Sequence, residues 1–161
     1  MMILHARGAA LAPREDDMSG RIVVGVDGSE PSRAALRWAA DEAKLRDATL
    51  EAVLAWQVPF VGDIPLPPMA DLEGAALATL EKVLADEGCT EQAVGTVVSI
   101  VSEGASAPVL LEAASGADLL VLGSRGRGAF RGMLLGSVSQ HVLHHATCPV
   151  VVVRGERAAA A

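Results

Sequence analysis

Tyrosine is absent from this sequence, and all aromatic residues together make up 2% of it. A core built on large rings is therefore excluded. Ala, Val and Leu carry most of the 51% apolar content, which suits helices packed closely on a sheet. Cysteine is nearly absent too: Cys89 and Cys148 stand far apart, with no CxxC spacing and no His/Cys cluster. That excludes a thiolate metal knuckle, and it favours two reduced, small side chains in a cytoplasmic protein over a disulfide. No excess of basic residues exists, since the net charge is −7. Electrostatic binding to nucleic acid or to anionic lipid is thereby disfavoured, although a local cationic pocket is not. No apolar run reaches the roughly 18–20 residues of a membrane span. At 161 residues the chain has the length of one domain.

The ends carry little pattern. Residues 1–19 contain only a four-residue apolar centre, Ala9–Ala12, followed by the acidic run Glu15–Asp17. This is too short and wrongly charged for a secretory signal. They are expected to form a disordered extension, with Met18 standing just before the first strand. Residues 156–161 are expected to be a disordered tail. Between them, residues 20–155 alternate strands and helices. Arg21–Asp27 reads as a short strand closed by Asp27-Gly28. Ser29 offers a helix N-cap with Pro31 in the first turn, and the helix runs to about Arg46 with Leu36, Ala39, Ala40 and Ala43 on one face. Thr49–Trp56 follows as a strand, and then a proline-rich loop, Val58–Pro68. A helix over Asp71–Asp86 places Leu72, Ala76, Leu80, Val83 and Leu84 together and stops near Gly88.

A third strand lies within Ala93–Ser102, and a short helix opens at Ser106-Ala107-Pro108 and closes at Gly116. Asp118–Leu122 is a continuous apolar strand, of the kind buried on both faces. A helix over Ser137–Ala146 and a last strand, Pro149–Val153, complete the chain. Five strands separated by helices predict a single-domain α/β fold: a doubly wound, five-stranded parallel sheet of Rossmann-like type with helices on both faces. Ligands of such sheets sit at the carboxyl ends of strands, where the strand order reverses.

The chemistry concentrates in Gly123–Gln140, GSRGRGAFRGMLLGSVSQ, between a buried strand and a helix N-terminus. Gly123, Gly126, Gly128, Gly132 and Gly136 leave the backbone free to adopt positive φ and to approach a ligand. Amides of such a loop form an anion-binding concavity, and the helix starting at Ser137 adds unpaired N–H groups and a positive dipole end. Ser137 and Ser139 offer hydroxyls, and Arg125, Arg127 and Arg131 offer charge. A polyphosphate is the ligand these features favour. A mobile surface loop is the plainer alternative, but its placement between strand and helix weighs against that. The loop is not a Walker A motif, since no Gly-Lys-Ser/Thr follows, and the offset of Gly132 from Gly126 and Gly128 breaks the dinucleotide fingerprint.

On these residues the sequence resembles the universal stress protein family. The family's nucleotide-binding subgroup carries G-x2-G-x9-G-[S/T], which reads here as Gly123, Gly126, Gly136 and Ser137. The opening GVDGS at Gly25–Ser29, the approach ADLLVLGSRG at Ala117–Gly126 and the ending HATCPVVVV at His145–Val153 match as well. The resemblance spans about Gly20 to Arg154 and implies ATP as ligand, with Mg²⁺ as the phosphate counter-ion. It places Gly123, Ser124, Arg125, Gly126, Arg127, Gly128, Ala129, Gly136, Ser137 and Val138 around the phosphates. Gly25, Val26 and Asp27 fall at the end of the first strand, with Asp27 near the ribose or the metal. Ala55 would hold the adenine edge through its main chain. A strand-end Asp that caps the following helix is an equally good account of Asp27.

Other features have plain readings. His141, His144 and His145 share a helix face, but with no third ligand type beside them a metal site is disfavoured. Ser29 and Ser32 lack a nearby His for nucleophilic chemistry, and Trp38 and Trp56 read as packing residues. Two functional classes remain: a nucleotide-regulated stress-response sensor or adaptor with at most slow ATP hydrolysis, or an ATPase or phosphotransferase using the same site. With Asp27 as the one evident carboxylate and no evident catalytic base, the sensor is favoured. Val150, Val151, Val152 and Val153 end the alternating pattern. As an uncovered apolar edge they predict a homodimer joined through the last strand, which the resemblance also implies. Nothing in the sequence names a downstream protein partner.

Overall fold

The computed structural model describes residues 2–4, 20–58, 68–128 and 134–155. The chain runs β1 (Met2–Leu4), β2 (Arg21–Gly25), α1 (Glu30–Arg46), β3 (Thr49–Trp56), α2 (Met69–Asp86), α3 (Glu91–Val94), β4 (Val97–Glu103), α4 (Ser106–Ala113), β5 (Leu119–Gly123), α5 (Ser137–His145) and β6 (Val150–Val153). All strand pairs are parallel, in the order β1-β4-β3-β2-β5-β6. The five predicted strands and their four main connecting helices are all present. The strand order reverses between β2 and β5, so the switch point falls at their carboxyl ends.

Two local expectations change. Residues 1–19 were expected to be disordered throughout, yet Met2–Leu4 pairs with Val98–Ile100 of β4 as a sixth strand. The outer edge of β4 presents unpaired backbone groups, and a short extended trio satisfies them. The four-residue helix α3, opened by Thr90 in extended conformation, lies where only a loop before the third strand was read. The rest of 5–19, the proline-rich segment 59–67 and the tail 156–161 lie outside the described residues.

Period-two alternation explains the near-continuous apolar strands. Ile22, Val24, Leu50, Ala52, Leu54, Val97, Val101, Leu119 and Val121 face α1 and α2. Val23, Val53, Val98, Ile100, Leu120 and Leu122 face α4 and α5. Both faces are covered, so both sets of positions must be apolar. Helix α1 buries Ala35, Leu36, Ala39, Ala40 and Ala43, and its small residues let the helix axis approach the sheet closely. One buried charge interrupts this pattern. Glu51 of β3 takes two hydrogen bonds from the Arg21 guanidinium, at 2.9 and 2.8 Å. Arg21 also donates to the carbonyls of Ala113 and Ser115 at the end of α4. The pair thus closes the amino-terminal side of the sheet and caps a helix.

Candidate functional site

At the carboxyl side of the sheet, the ends of β2, β3 and β5 and the start of α5 enclose a cavity of about 600 Å³. Of the predicted site residues, Gly25, Val26, Asp27, Ala55, Gly123, Arg125, Gly126, Arg127, Gly128, Gly136, Ser137 and Val138 line it. Ser124 does not: its side chain is turned inward and buried, and its amide bonds to the Val153 carbonyl at 2.7 Å. Ala129, with Arg131 and Gly132, lies outside the described residues. Sequence reading missed the apolar wall of Val53, Leu110 and Leu122, and the hydroxyls of Ser32 and Ser106. Ser106 had a usable signal. It opens α4 just beyond Gly104 and Ala105 at the end of β4, and every strand of a parallel sheet delivers its carboxyl end to the same side.

The two ends of the glycine-rich loop meet. The Gly136 amide donates to the Ser124 carbonyl at 2.7 Å, and the Ser139 hydroxyl donates to the Gly123 carbonyl at 2.8 Å. Ser139 also lines the cavity, but it is buried and its hydroxyl proton is committed to the Gly123 carbonyl. Gly136 occupies the N-cap of α5 in extended conformation, and no side chain caps that helix. Ser137 is exposed beside those first-turn amides.

The glycines have reasons other than those anticipated. Among the described residues, Gly123, Gly126, Gly128 and Gly136 are absent from the positive-φ positions, which include Gly28 at φ 80°. A Cβ at Gly123 would stand 2.6 Å from the carbonyl carbon of Pro31, and one at Gly126 would stand 2.6 Å from Oδ2 of Asp27. Gly25 is closed in by Leu122 and Leu110, at 2.9 and 3.0 Å. At Gly123 and Gly126 the loop needs the missing side chain, not left-handed backbone.

Asp27 joins the two walls. Its Oδ1 accepts from the Ser29 amide at 2.9 Å and the Ser29 hydroxyl at 2.5 Å, while Oδ2 accepts from the Arg127 amide at 3.0 Å. Burial alone would raise its pKa. The bonds from Ser29, Ser32 and Arg127 outweigh that and hold the carboxyl below its ordinary value. Ser29 is the N-cap residue of α1, but its hydroxyl goes to Asp27 and makes no cap bond. Asp27 likewise takes the amide just ahead of the helix and is not itself the cap residue.

Of the two tryptophans read as packing residues, Trp56 packs against the core, whereas Trp38 is exposed. The His141 and His145 rings stack with centroids 4.3 Å apart and planes at 18°. Nδ1 of His145 lies 2.8 Å from the His141 carbonyl oxygen, and the parallel rings do not converge on one point. Among the described residues no group of three or more His, Cys, Asp or Glu gathers as a metal site. No helix among them is long and apolar enough to cross a membrane.

Comparison with known proteins agrees with this architecture. The sequence profile described as the universal stress protein family matches residues 18–154. A universal stress protein of Mycolicibacterium smegmatis is 43% identical over 150 residues, covering 86% of this chain and 49% of the relative. The chain therefore spans about half the length of the curated relatives it matches. Among solved structures, a universal stress protein in complex with cAMP is 28% identical with a TM-score of 0.61, over 86% of this chain and 98% of that one. One from Archaeoglobus fulgidus in complex with dAMP is 22% identical with a TM-score of 0.56, over 85% and 99% of the two chains, and it bears on the fold alone.

Proposed function

The chain belongs to the universal stress protein family, and from that membership and the pocket we propose that it binds an adenine nucleotide, ATP in the first instance. The observation that carries this reading is the cavity at the switch point. There the Asp27 turn, the loop after Gly123 and the uncapped start of α5 face one space. Apolar Val53, Leu110 and Leu122 suit a base. Exposed loop amides, Ser137, Arg125 and Arg127 suit phosphates. Ala55 lies at the end of β3 beside the apolar wall, where its main chain can meet the edge of the base. The cAMP complex of a related protein supports the class of ligand.

In this reading the nucleotide state sets which partner the protein engages in a stress response, and hydrolysis is at most slow. The enzyme alternative requires groups that hold a metal and position a nucleophile. Among the described residues, Asp27 is the single carboxylate lining the pocket, and both of its oxygens are already engaged by protein donors. The residues present therefore do not compose a Mg²⁺ site of their own, and no step is assigned to the ion. The proposal includes a cytoplasmic homodimer. β6 ends the sheet beyond β5, and its four valines are only half-buried, so pairing with a second copy would satisfy both the backbone edge and the apolar surface.

Calorimetric titration of ATP into wild type and Gly136→Asp tests the site. The carboxylate would stand beside the first-turn amides of α5, where anionic oxygens are expected. Wild type should bind, and the variant should keep its circular dichroism spectrum and lose binding at least about a hundredfold, the scale of a charge reversal in a partly desolvated site. Equal affinity in a folded variant refutes the site.

A further inference from the structure

Asp27 leaves β2 at the point where the two loops of the pocket come together, and its carboxylate touches both. Three protein donors converge on it: the Ser29 amide and hydroxyl on Oδ1, and the Arg127 amide, 100 residues away in sequence, on Oδ2. Ser32 fixes the approach. Its hydroxyl accepts from the Asp27 amide at 3.3 Å and donates to the Ser29 carbonyl at 2.9 Å. On the opposite loop, among the described residues, a Cβ at Gly126 would meet within 4 Å only Oδ2 of Asp27, at 2.6 Å, and its Cγ, at 3.7 Å. The glycine at 126 is thus dictated by the carboxylate at 27 and by nothing else in the described protein.

We infer that Asp27 is a positioning residue, a latch that holds the Gly126–Arg127 stretch of the glycine-rich loop against the β2–α1 turn, and that it is not the pocket's metal ligand. A carboxylate offers about four acceptor positions, and three are filled here. Mg²⁺ carried with a nucleotide takes its oxygens from phosphates, waters and one or two carboxylates; Asp27 is the one carboxylate among the described lining residues, and both of its oxygens already face protein donors at hydrogen-bond distance. The latch instead sets where the loop amides stand before any ligand arrives, which is preorganisation of the anion site. What the latch serves rests on the nucleotide reading above; that it exists does not.

Two measurements on nucleotide-free protein test the latch directly. In Asp27→Ala the Arg127 amide should exchange with solvent about tenfold faster, the scale of one lost hydrogen bond, while amides of the β3 core stay unchanged. Gly126→Ala should accelerate the same amide in the wild-type background, because the new methyl displaces Oδ2, and should add nothing in the Asp27→Ala background. Unchanged exchange at Arg127, or an equal effect of Gly126→Ala in both backgrounds, overturns the latch. The Gly126→Ala measurement alone decides if Asp27→Ala does not fold.

A third arm separates latch from metal ligand. ATP affinity should fall about tenfold in Asp27→Ala both in excess Mg²⁺ and in EDTA. A loss confined to the Mg²⁺ medium makes Asp27 a metal ligand and overturns the inference. If ATP does not bind wild type at all, the nucleotide reading fails, and exchange at Arg127 still decides the latch.

Discussion

Replacing the loop glycines one at a time by alanine separates packing from ligand contact. At Gly123 the added Cβ would stand 2.6 Å from the carbonyl carbon of Pro31, 2.8 Å from its oxygen and 2.8 Å from the Ser32 amide nitrogen. All three are backbone atoms in the first turn of α1, so no flexible side chain can yield. The helix must lift from β5 as a body. Its Ala35, Leu36, Ala39 and Ala43 are all 0% exposed, so lifting it opens a close-packed interface. Over-packing of this kind costs roughly 1–3 kcal/mol, and a rigid neighbour puts Gly123→Ala at the upper end, about 3 kcal/mol. At about 3 °C per kcal/mol for a domain of this size, the melting temperature should fall by about 9 °C. Gly128→Ala meets nothing within 4 Å and should be neutral or gain about 0.5 kcal/mol by restricting the unfolded chain. Gly136→Ala, whose nearest neighbour is the Arg125 Cα at 3.4 Å, should stay within about 0.5 kcal/mol of wild type. Scanning calorimetry and urea unfolding on nucleotide-free protein read this without a binding contribution. A Gly123→Ala protein that melts within about 2 °C of wild type refutes the reasoning, as does a Gly128→Ala protein that loses as much.

The Arg21–Glu51 pair, with side chains 16% and 10% exposed, should behave as a buried ion pair. Arg21→Met is expected to cost about 3 kcal/mol in urea unfolding by stranding Glu51, and Arg21→Met with Glu51→Leu should recover most of it; a single variant as stable as wild type contradicts this. The folded-state pKa of Asp27 is depressed, so its stabilisation is complete above the unfolded value of about 3.9 and is lost as pH falls through the folded value. Acid unfolding of Asp27→Asn should therefore be flatter below about pH 4 than that of wild type, and identical acid limbs would remove Asp27 from the balance. The buried Cys89 thiol is pushed up to about 11, chiefly by desolvation, so the native protein at pH 8 should alkylate first at the half-buried Cys148. For the dimer, Val152 is the better probe than Val151 or Val153, which pack on the α1 side of the core. Val152→Lys should convert a dimer to a monomer in light scattering with little change in melting temperature, and a variant still fully dimeric at about 10 µM rules out the β6 interface.

The fold was legible because its signals are local and repeated. The apolar runs at Arg21–Gly25 and Leu119–Gly123 and the helical faces of α1 and α2 each demand burial at their own period, and a parallel sheet buries all of them. The alternation implies strand ends gathered on one side, but the strand order that locates the switch point between β2 and β5 comes from the structure. Met2–Leu4 was not legible, because three apolar residues in an irregular stretch become a strand only when a distant edge is offered to them. The residues of the pocket were legible as a set, since the glycine spacing marks where loop and helix meet. Their individual roles were not. Ser139 and Ser137 look alike in sequence and both line the pocket, yet the buried one spends its hydroxyl proton on Gly123 and the other is exposed. Val53, Leu110 and Leu122 look like any core positions, and only the gap beyond the strand ends makes them a wall.

The spacing of the glycine motif follows from contacts within the protein. Gly123 makes room for the first turn of α1, Gly126 for the Asp27 carboxylate, and Gly136 brings the far end of the loop back to Ser124 while leaving α5 without a side-chain cap. Each distance in the motif is thus fixed by a structural partner before any ligand enters. The groups left over, main-chain amides at the loop and helix start with Ser137, Arg125 and Arg127 beside them, are the ones available to an anion. Main-chain donors survive any substitution except proline, so exchanging the Arg125 or Arg127 side chain alone tunes charge while the cradle persists. Changes at Gly126 or Asp27 move the cradle itself, and this difference divides the residues that attract a phosphate from those that give it a place to sit.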